Sequence, residues 1–479
     1  MNSVKRRGAL RLASSILASG LAVGGTVTLA GPAAADDAPQ NQGGVSATLG
    51  RITAGGGAEV QDRRKTGNVM AGLFEMKVDG GGTLQTYCID ILTNTVDGAK
   101  YKETGWDESS LHNNAGAGKI RWILQHSYPQ VNDLAALAKA AGADKLDANT
   151  AATGTQVAIW RYSDHVKVDA KSPAAEKLAD YLTKSAENVE EPKASLSLTP
   201  PAVSGKSGQR IGPVTVRTNA GSVAVAPTAD AAAKKVKVVD KAGKPVTSTV
   251  NGGELFFDVP AGIPDGTAAL KATAATKVPV GRAFIGDHTR TQTMILAGSS
   301  ESTVSATATA NWATKGAIPA LTAKKSCEKG GVEVTADNKG DQPFTFELEG
   351  KKHTVKPGGS ETTLVKVGED QAYKITITGP NGFSKTFSGI LDCKTAETGT
   401  TTGGGTTGGT TTGGSGTPSA SPGAPTGGSA GSTGSTTGGD LANTGSSSAT
   451  PVIAGVAIAL VVVGGGAVFL LRRKKTAGQ

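Results

Sequence analysis

The residue with the clearest capacity for chemistry is Cys88, in the segment TYCID at residues 86–90. The chain has three cysteines. Cys327 and Cys393 bracket a β-rich segment, and we expect them to form a structural disulfide rather than a redox pair. Cys88 is then the odd thiol. A thiolate is both a good nucleophile and a good leaving group, so an acyl group attached to it stays activated.

A second unusual residue is Gln156, in the segment TQVAIW at residues 155–160. Residues 149–165 favour a helix on which Gln156, Ile159 and Trp160 share one face. A carboxamide on such an apolar face needs hydrogen-bond partners, because leaving it unpaired costs about 1–3 kcal/mol. From the residues alone, the alternative stays open that Cys88 is a small buried thiol and Gln156 an ordinary polar helix residue.

The two segments together resemble the thioester domains of Gram-positive surface proteins. The resemblance rests on YCID followed later in the chain by TQVAIW, in which T-Q-x-A is typical of that family. It covers residues 45–192 and implies that the Cys88 thiol displaces ammonia from the Gln156 amide to form an internal thioester. The Gly-, Ala- and Thr-rich composition is compatible with an actinobacterial member.

The resemblance implies covalent capture of a partner. An amine or hydroxyl would attack the Gln156 carbonyl carbon, and Cys88 would leave as a thiol. The bond forms once, so we expect no enzymatic turnover. Apolar neighbours are expected to limit the access of water to the bond, namely Tyr87, Ile89, Ile159 and Trp160. The sequence assigns no general base, because Asp90 and His165 are more typical of solvated or internally satisfied polar residues.

We expect no cofactor and no metal site. The five histidines are scattered along the chain, without a pair at metal-ligand spacing. Nor do the residues suggest a Ser-His-Asp or paired-carboxylate arrangement, so a secreted hydrolase has no support. The formal charge of +9 falls to +1 without the eight basic residues near the two ends, which argues against nucleic-acid binding.

The two basic clusters belong to targeting segments. Residues 1–35 are typical of a secretory signal peptide, with an apolar run and an A-x-A pattern that predicts cleavage between Ala35 and Asp36. Residues 451–471 form an apolar run long enough to span a bilayer, and four basic residues follow it. Just upstream stands a motif that resembles a sortase signal of the L-A-x-T-G form: Leu441, Ala442, Asn443, Thr444 and Gly445.

By this resemblance, sortase would cleave after Thr444 and join it to peptidoglycan. The precursor would therefore be anchored in the membrane only until sorting, and the mature protein would be secreted and attached to the cell wall. Residues 395–440 are almost wholly Thr, Gly, Ser, Pro and Ala, a composition that predicts a disordered stalk.

The sequence predicts a multidomain, mainly β protein. An α+β thioester domain at 45–192 contains a hairpin over 74–91 and helices in its second half. Alternating strands predict two β-sandwich-like domains, at 193–316 and at 318–394, the latter with the disulfide. The stalk and a sorting segment at 441–479 follow.

The function predicted from these features is a wall-anchored adhesin that captures an amine- or hydroxyl-bearing ligand through a thioester. The alternative is a non-covalent wall scaffold or spacer in which Cys88 forms intermolecular disulfides.

Overall fold

The computed structural model describes residues 43–62, 66–380 and 383–394. The predicted signal peptide, stalk, sortase motif and transmembrane segment lie outside these residues and stay predictions. Within the described part of the chain, no helix is both long and apolar enough to cross a membrane. The helices are α1 (Ala117–Gln125), α2 (Leu134–Ala141), α3 (Ala148–Ser163), α4 (Pro173–Ser185) and α5 (Ala229–Ala233), together with a 3-10 turn at Trp106–Glu108.

Strands account for most of the remaining chain, as the sequence predicts for a mainly β protein. They are β1 (Ser46–Gln61), β2 (Thr66–Val78), β3 (Thr83–Cys88), β4 (Lys100–Thr104), β5 (Val168–Ala170), β6 (Leu196–Thr199), β7 (Ala202–Lys206), β8 (Arg210–Thr218), β9 (Val223–Pro227), β10 (Lys237–Val239), β11 (Ser248–Thr249), β12 (Glu254–Asp258), β13 (Gly266–Lys277), β14 (Ala283–Gly286), β15 (Met294–Ser299), β16 (Glu301–Ala313), β17 (Pro319–Ser326), β18 (Gly331–Asn338), β19 (Phe344–Leu348), β20 (Lys351–Val355), β21 (Ser360–Lys366), β22 (Gln371–Thr378) and β23 (Ser384–Leu391).

The first sheet closes on itself. Its strand order is β2-β3-β15-β14-β4-β1-β5, and β1 also pairs with β2, so six strands form a ring to which β5 is added. The predicted hairpin is present, with β2 and β3 paired from Phe74↔Thr86 to Lys77↔Thr83. Closure removes the exposed edges that an open sheet would leave around β3.

The domain boundary placed at residue 193 requires a correction. The sequence assigns residues 193–316 to one β unit, but β14 and β15 within that range complete the first sheet instead. Strand β15 therefore lies in the first domain and not in the unit to which the sequence assigns it. Its pattern is almost wholly apolar, with Met294 to Ala297 all buried, because both of its faces are covered.

Helix α3 packs against β1, β2 and β3 and against α4. Its start is fixed by a capping box in which Asp147 accepts from the Thr150 backbone and the Thr150 side chain accepts from the Asp147 backbone. Gly154 allows a close approach to α4, because a Cβ there would lie 2.5 Å from the Ala175 carbonyl oxygen. Helix α4 is also capped, with Ser172 accepting from the Ala175 backbone and Pro173 in the first turn.

Two β-sandwiches follow. The first pairs a four-stranded sheet (β10-β12-β8-β6) with a five-stranded sheet (β11-β9-β13-β16-β7), and Phe257 and Trp312 lie in the core. The second pairs β17-β18-β21 with β20-β19-β22-β23 around Phe344 and Phe346. Alternating buried and exposed residues along β16 and β18 agree with one face packed inward.

A buried carboxylate joins the first domain to the next. Glu103 on β4 accepts from Arg282 Nε at 2.9 Å and from the Ser195 backbone at 3.0 Å, just before β6. Its other oxygen accepts from the Val45 backbone at 3.1 Å. Arg282 also pairs with Glu191 at 2.8 Å. Both members of the Glu103–Arg282 pair are nearly inaccessible to solvent. The segment from Glu191 to Ser195, which leads into β6, is therefore held by charge-assisted hydrogen bonds in a dry environment.

Candidate functional site

Cys88 and Gln156 come together at the end of β3. The Cys88 backbone N–H donates to Gln156 Oε1 at 2.9 Å, and Gln156 Nε2 donates to the Cys88 carbonyl oxygen at 2.8 Å. The Gln156 side chain is fully buried and Cys88 is 3% exposed. The amide is therefore held in a fixed orientation by the residue that carries the thiol.

The local strand geometry explains why Gln156 is needed there. On one side of β3, Cys88 is paired with Met294 of β15. On the other side, pairing with β2 stops at Thr86, so no strand of the described residues pairs with Cys88 there. The Gln156 carboxamide occupies that place and hydrogen-bonds like a neighbouring peptide group. The odd amide on an apolar helix face thus has two partners.

Beyond Cys88 the chain leaves the sheet, whereas the sequence predicts a strand up to residue 91. Hydrogen bonds from side chains take the place of strand pairing there. Asp164 Oδ1 accepts from the Ile91 backbone at 2.9 Å, and the Ser163 hydroxyl donates to Asp164 Oδ2 at 2.6 Å. Asp164 is the C-cap residue of α3. The same helix therefore fixes the chain through Gln156 and again through Asp164.

The four predicted neighbours of the pair are all buried: Tyr87, Ile89, Ile159 and Trp160. The Tyr87 hydroxyl donates to the Tyr128 carbonyl oxygen at 2.8 Å. Burial raises the pKa of the Tyr87 hydroxyl, and a hydrogen bond with Thr155 lowers it in part. Tyr87 is consequently a neutral, packed side chain that helps to exclude water.

Two buried polar atoms beside the pair have no hydrogen-bond partner among the described residues. These are Thr86 Oγ1 and Trp160 Nε1. Thr86 precedes Cys88 by two residues on its strand, and Trp160 follows Gln156 by one turn of α3. Buried polar atoms of this kind are uncommon in folded proteins, and each one calls for an explanation such as a functional role or a bound water. Sequence reasoning identified Trp160 only as an apolar neighbour and did not single out Thr86.

The two acid–base candidates differ in their surroundings. His165 is exposed and has a left-handed backbone conformation with φ of 54°. Asp90 is buried, its Oδ1 accepts from the Leu92 backbone at 3.3 Å, and its carbonyl oxygen accepts from the Gln292 side chain. Of the two, Asp90 lies nearer to Cys88 in sequence and shares its buried environment.

An acidic cluster from the second sandwich lies against this region. Thr293, beside β15, donates to Asp392 Oδ2 at 3.1 Å. Burial and then the nearby Asp90 carboxylate raise the pKa of Asp392 to about 7. Glu369 and Asp370 complete the cluster, and Arg290 forms an ion pair with Asp370 at 2.6 Å. The predicted disulfide between Cys327 and Cys393 is confirmed and ends next to Asp392.

Comparison with known families agrees with the Cys88–Gln156 geometry. Residues 85–188 match the family model of the thioester domain. This thioester-domain segment contains the last four residues of β3 and the whole of α3, and hence both members of the pair. It contains neither β2 nor β15, the two strands beside β3 in the sheet. A second model, described as the bacterial phospholipase C C-terminal domain, matches residues 314–390, which form the second sandwich. No curated protein matches the chain.

Solved structures similar to the chain include thioester proteins. The Bacillus anthracis TIE protein is 15% identical with a TM-score of 0.26, covering 74% of this chain and 81% of that one. The thioester domain of the Enterococcus faecium TIE86 protein is 18% identical with a TM-score of 0.26, covering 56% and 97%. The N-terminal thioester domain of fibronectin-binding protein SfbI from Streptococcus pyogenes is 15% identical with a TM-score of 0.20, covering 34% and 87%. TM-scores at this level do not support an inference about function.

Proposed function

We propose that Cys88 and Gln156 form an internal thioester and that the protein is a surface adhesin that uses this bond to capture a partner covalently. The proposal rests mainly on the two hydrogen bonds that join the Cys88 backbone to the Gln156 side-chain amide. The match of residues 85–188 to the thioester domain supports the same assignment.

The bond would form by attack of the Cys88 sulfur on the Gln156 Cδ carbon. The thiol proton passes to the amide nitrogen, the C–N bond breaks, and ammonia leaves. During this step negative charge develops on Gln156 Oε1, which already accepts from the Cys88 N–H. A donor fixed before the reaction stabilises that charge without reorganisation. Holding the two groups together raises their effective concentration and replaces an external catalyst.

Capture is the reverse exchange with a different nucleophile. An amine nitrogen attacks Cδ, its proton passes to sulfur, and the C–S bond breaks to leave an amide and a free thiol. A hydroxyl would give an ester by the same path. Burial of the pair protects the thioester from water until a ligand displaces the covering side chains. One molecule captures one ligand, so the protein would not act as an enzyme.

The predicted signal peptide, stalk and sortase motif support a location of the protein on the cell wall. Attachment through Thr444 would hold the reactive domain outside the wall at the end of a flexible stalk. The alternative function, a non-covalent scaffold with intermolecular disulfides through Cys88, is disfavoured by the burial of this thiol. A sulfur that is shielded from solvent cannot readily reach a second protein.

Intact-protein mass spectrometry tests the proposal directly. The wild type should be lighter than its disulfide-corrected mass by about 17 Da, the mass of one ammonia lost on acylation. Cys88→Ser and Gln156→Ala should each have the full calculated mass. A native wild type of full mass would contradict the proposal, provided that denaturation then makes one thiol available to alkylation.

A further inference from the structure

The second sandwich contacts the first domain at the end of the sheet that holds the proposed thioester. Strand β3 ends at Cys88, and β15 begins opposite it at Met294. Thr293, immediately before β15, donates to Asp392 Oδ2 at 3.1 Å. Its carbonyl oxygen accepts from the Ile89 N–H at 3.0 Å. Asp392 of the second sandwich is therefore connected through a single residue to the chain just after Cys88.

The register of the sheet shows to which face the Cys88 side chain points. Cys88 pairs with Met294, Met294 with Phe284, and Phe284 with Glu103 on β4. Directly paired residues project to the same face, as do residues two apart on one strand. Cys88 therefore shares a face with Tyr101, which lies two residues before Glu103 and is fully buried.

The Tyr101 side chain connects this face to the contact with the second sandwich. Its hydroxyl donates at 2.7 Å to the carbonyl oxygen of Gln292, the residue before Thr293. Burial raises the pKa of the Tyr101 hydroxyl, and the nearby Cys88 and Asp392 raise it further. The Cys88 thiol and the Asp392 carboxyl thus lie near the same hydroxyl. The second sandwich covers this end of the first domain.

Most of the charges around Asp392 have the same sign as its own carboxylate. Burial and then the Asp90 carboxylate raise the pKa of Asp392 to about 7, although the Thr293 hydroxyl lowers it in part. The cation Arg290 is already paired with Asp370 at 2.6 Å. An ionised Asp392 therefore adds negative charge where little positive charge is available. The titratable and charged groups that face it are Asp90, Tyr101 and Arg290 of the first domain and Lys325, Glu369 and Asp370 of the second sandwich.

We propose that the second sandwich restricts access to the thioester and that the charge on Asp392 determines how firmly this covering contact is held. A neutral Asp392 keeps the contact closed, and the bond is shielded from water and amines. An ionised Asp392 is repelled by Asp90 across the interface, and it regains hydration when the sandwich moves away. This inference rests on the proposed thioester and concerns its regulation.

The direction of the pH dependence follows from the two protonation states. In a released sandwich Asp392 would return toward its ordinary pKa of 3.8, so the covered form binds more protons than the uncovered form. The uncovered fraction should therefore rise with pH between about 4 and about 7, by at most about tenfold per pH unit. Above about pH 7 it should level off, because Asp392 is then ionised in both forms.

The test is the rate at which methoxyamine opens the thioester of the full chain, followed by intact mass at about pH 5 and about pH 7. Asp392→Asn stays neutral at both values and keeps an oxygen that accepts from Thr293. Dividing the wild-type rate by the Asp392→Asn rate cancels the titration of the nucleophile itself. We expect this ratio to rise on the order of tenfold or more between the two pH values. A ratio that does not change would overturn the proposal.

A second carboxylate of the same sandwich provides a matched control. Asp341 pairs with Lys206 of the first sandwich at 3.0 Å and not with the first domain. The rate of Asp341→Asn relative to the wild type should therefore be the same at both pH values. A pH-dependent ratio equal to that of Asp392→Asn would show a general effect of surface charge and would refute the role of Asp392.

Hydrogen exchange tests the covering contact without the thioester. Cys88→Ala cannot form the bond, and exchange of residues 287–293 is measured in this background with and without Asp392→Asn. The ratio of the two exchange rates should again rise on the order of tenfold between about pH 5 and about pH 7. A rise in a protein of full mass would support the contact while the thioester fails. A constant ratio, with the ammonia loss present in the wild type, would refute the contact and leave the thioester in place.

Discussion

The thioester should act as a cross-link whose contribution to stability can be measured. It would join β3 to α3 across residues that are 68 positions apart. In the chain-entropy model, closing a loop of this length stabilises the folded state by about 4 kcal/mol. We therefore expect the wild type to lose about 4 kcal/mol of unfolding free energy when the bond is opened.

Methylamine provides the cleanest way to open the bond. It leaves the Cys88 thiol in place and converts Gln156 to an N-methyl amide that keeps its carbonyl oxygen and one N–H, so both hydrogen bonds to Cys88 can form. The stability of the treated and untreated full chain is compared by urea denaturation, followed by tryptophan fluorescence, to which Trp106, Trp122 and Trp160 of the first domain contribute three of the four residues. Intact mass on the same samples reports the adduct.

Cys88→Ala is the control for this experiment. It has no thioester, so methylamine should change neither its mass nor its denaturation midpoint. Its stability should lie close to that of the opened wild type, apart from about 1 kcal/mol for the lost sulfur contacts. The reasoning would be refuted if the wild type formed the adduct without any loss of stability, because the bond would then impose no constraint on the unfolded chain.

Three further perturbations test the surrounding structure by urea denaturation. In the background that lacks the thiol, Gln156→Ala should cost about 2–6 kcal/mol, because it leaves a buried N–H and C=O unpaired; a loss under about 1 kcal/mol would contradict the strand-mimic role. Glu103→Ala should cost about 3–5 kcal/mol, because it removes one partner of a buried ion pair and leaves Arg282 Nε and the Val45 and Ser195 N–H groups without an acceptor, although Glu191 still pairs with Arg282. Asp79→Ala, at an exposed pair, should cost less than about 1 kcal/mol. Asp392 has a folded pKa of about 7, above its ordinary value of 3.8, so the folded state binds more protons and stability should fall as pH rises from about 4 to 7, by at most about 4 kcal/mol. Asp392→Asn should remove that part of the pH slope, and an identical slope in both proteins would contradict the assignment.

Much of the local structure was predictable because its signals are short-range. Alternation along the strands and the hairpin of β2 and β3 each depend on a few neighbouring residues. The disulfide was likewise predictable from two cysteines that bracket one domain. The sequence also identified Cys88 and Gln156 as the pair to examine, through their motifs.

What could not be predicted depends on contacts between distant segments. The assignment of β14 and β15 to the first sheet follows from pairings such as Met294↔Cys88, which no local pattern encodes. The use of the Gln156 amide in place of a missing strand depends on where β2 stops pairing with β3. The burial of the Thr86 hydroxyl, which has no hydrogen-bond partner among the described residues, likewise arises only after the sheet has closed.

Strand β15 lies far after β3 in the sequence, and this separation has a consequence for the folding of an exported chain. A polypeptide that is exported amino end first would deliver Cys88 to the outside well before Met294, its partner across the sheet. During that interval strand β15 would not yet cover Cys88, and its sulfur would be exposed to oxidants or to another cysteine. On the proposed export route, Cys88 would be sheltered only once residues through 299 have been translocated. A recombinant fragment that ends at residue 192 would retain both reactive side chains but lose strand β15, which covers one side of β3.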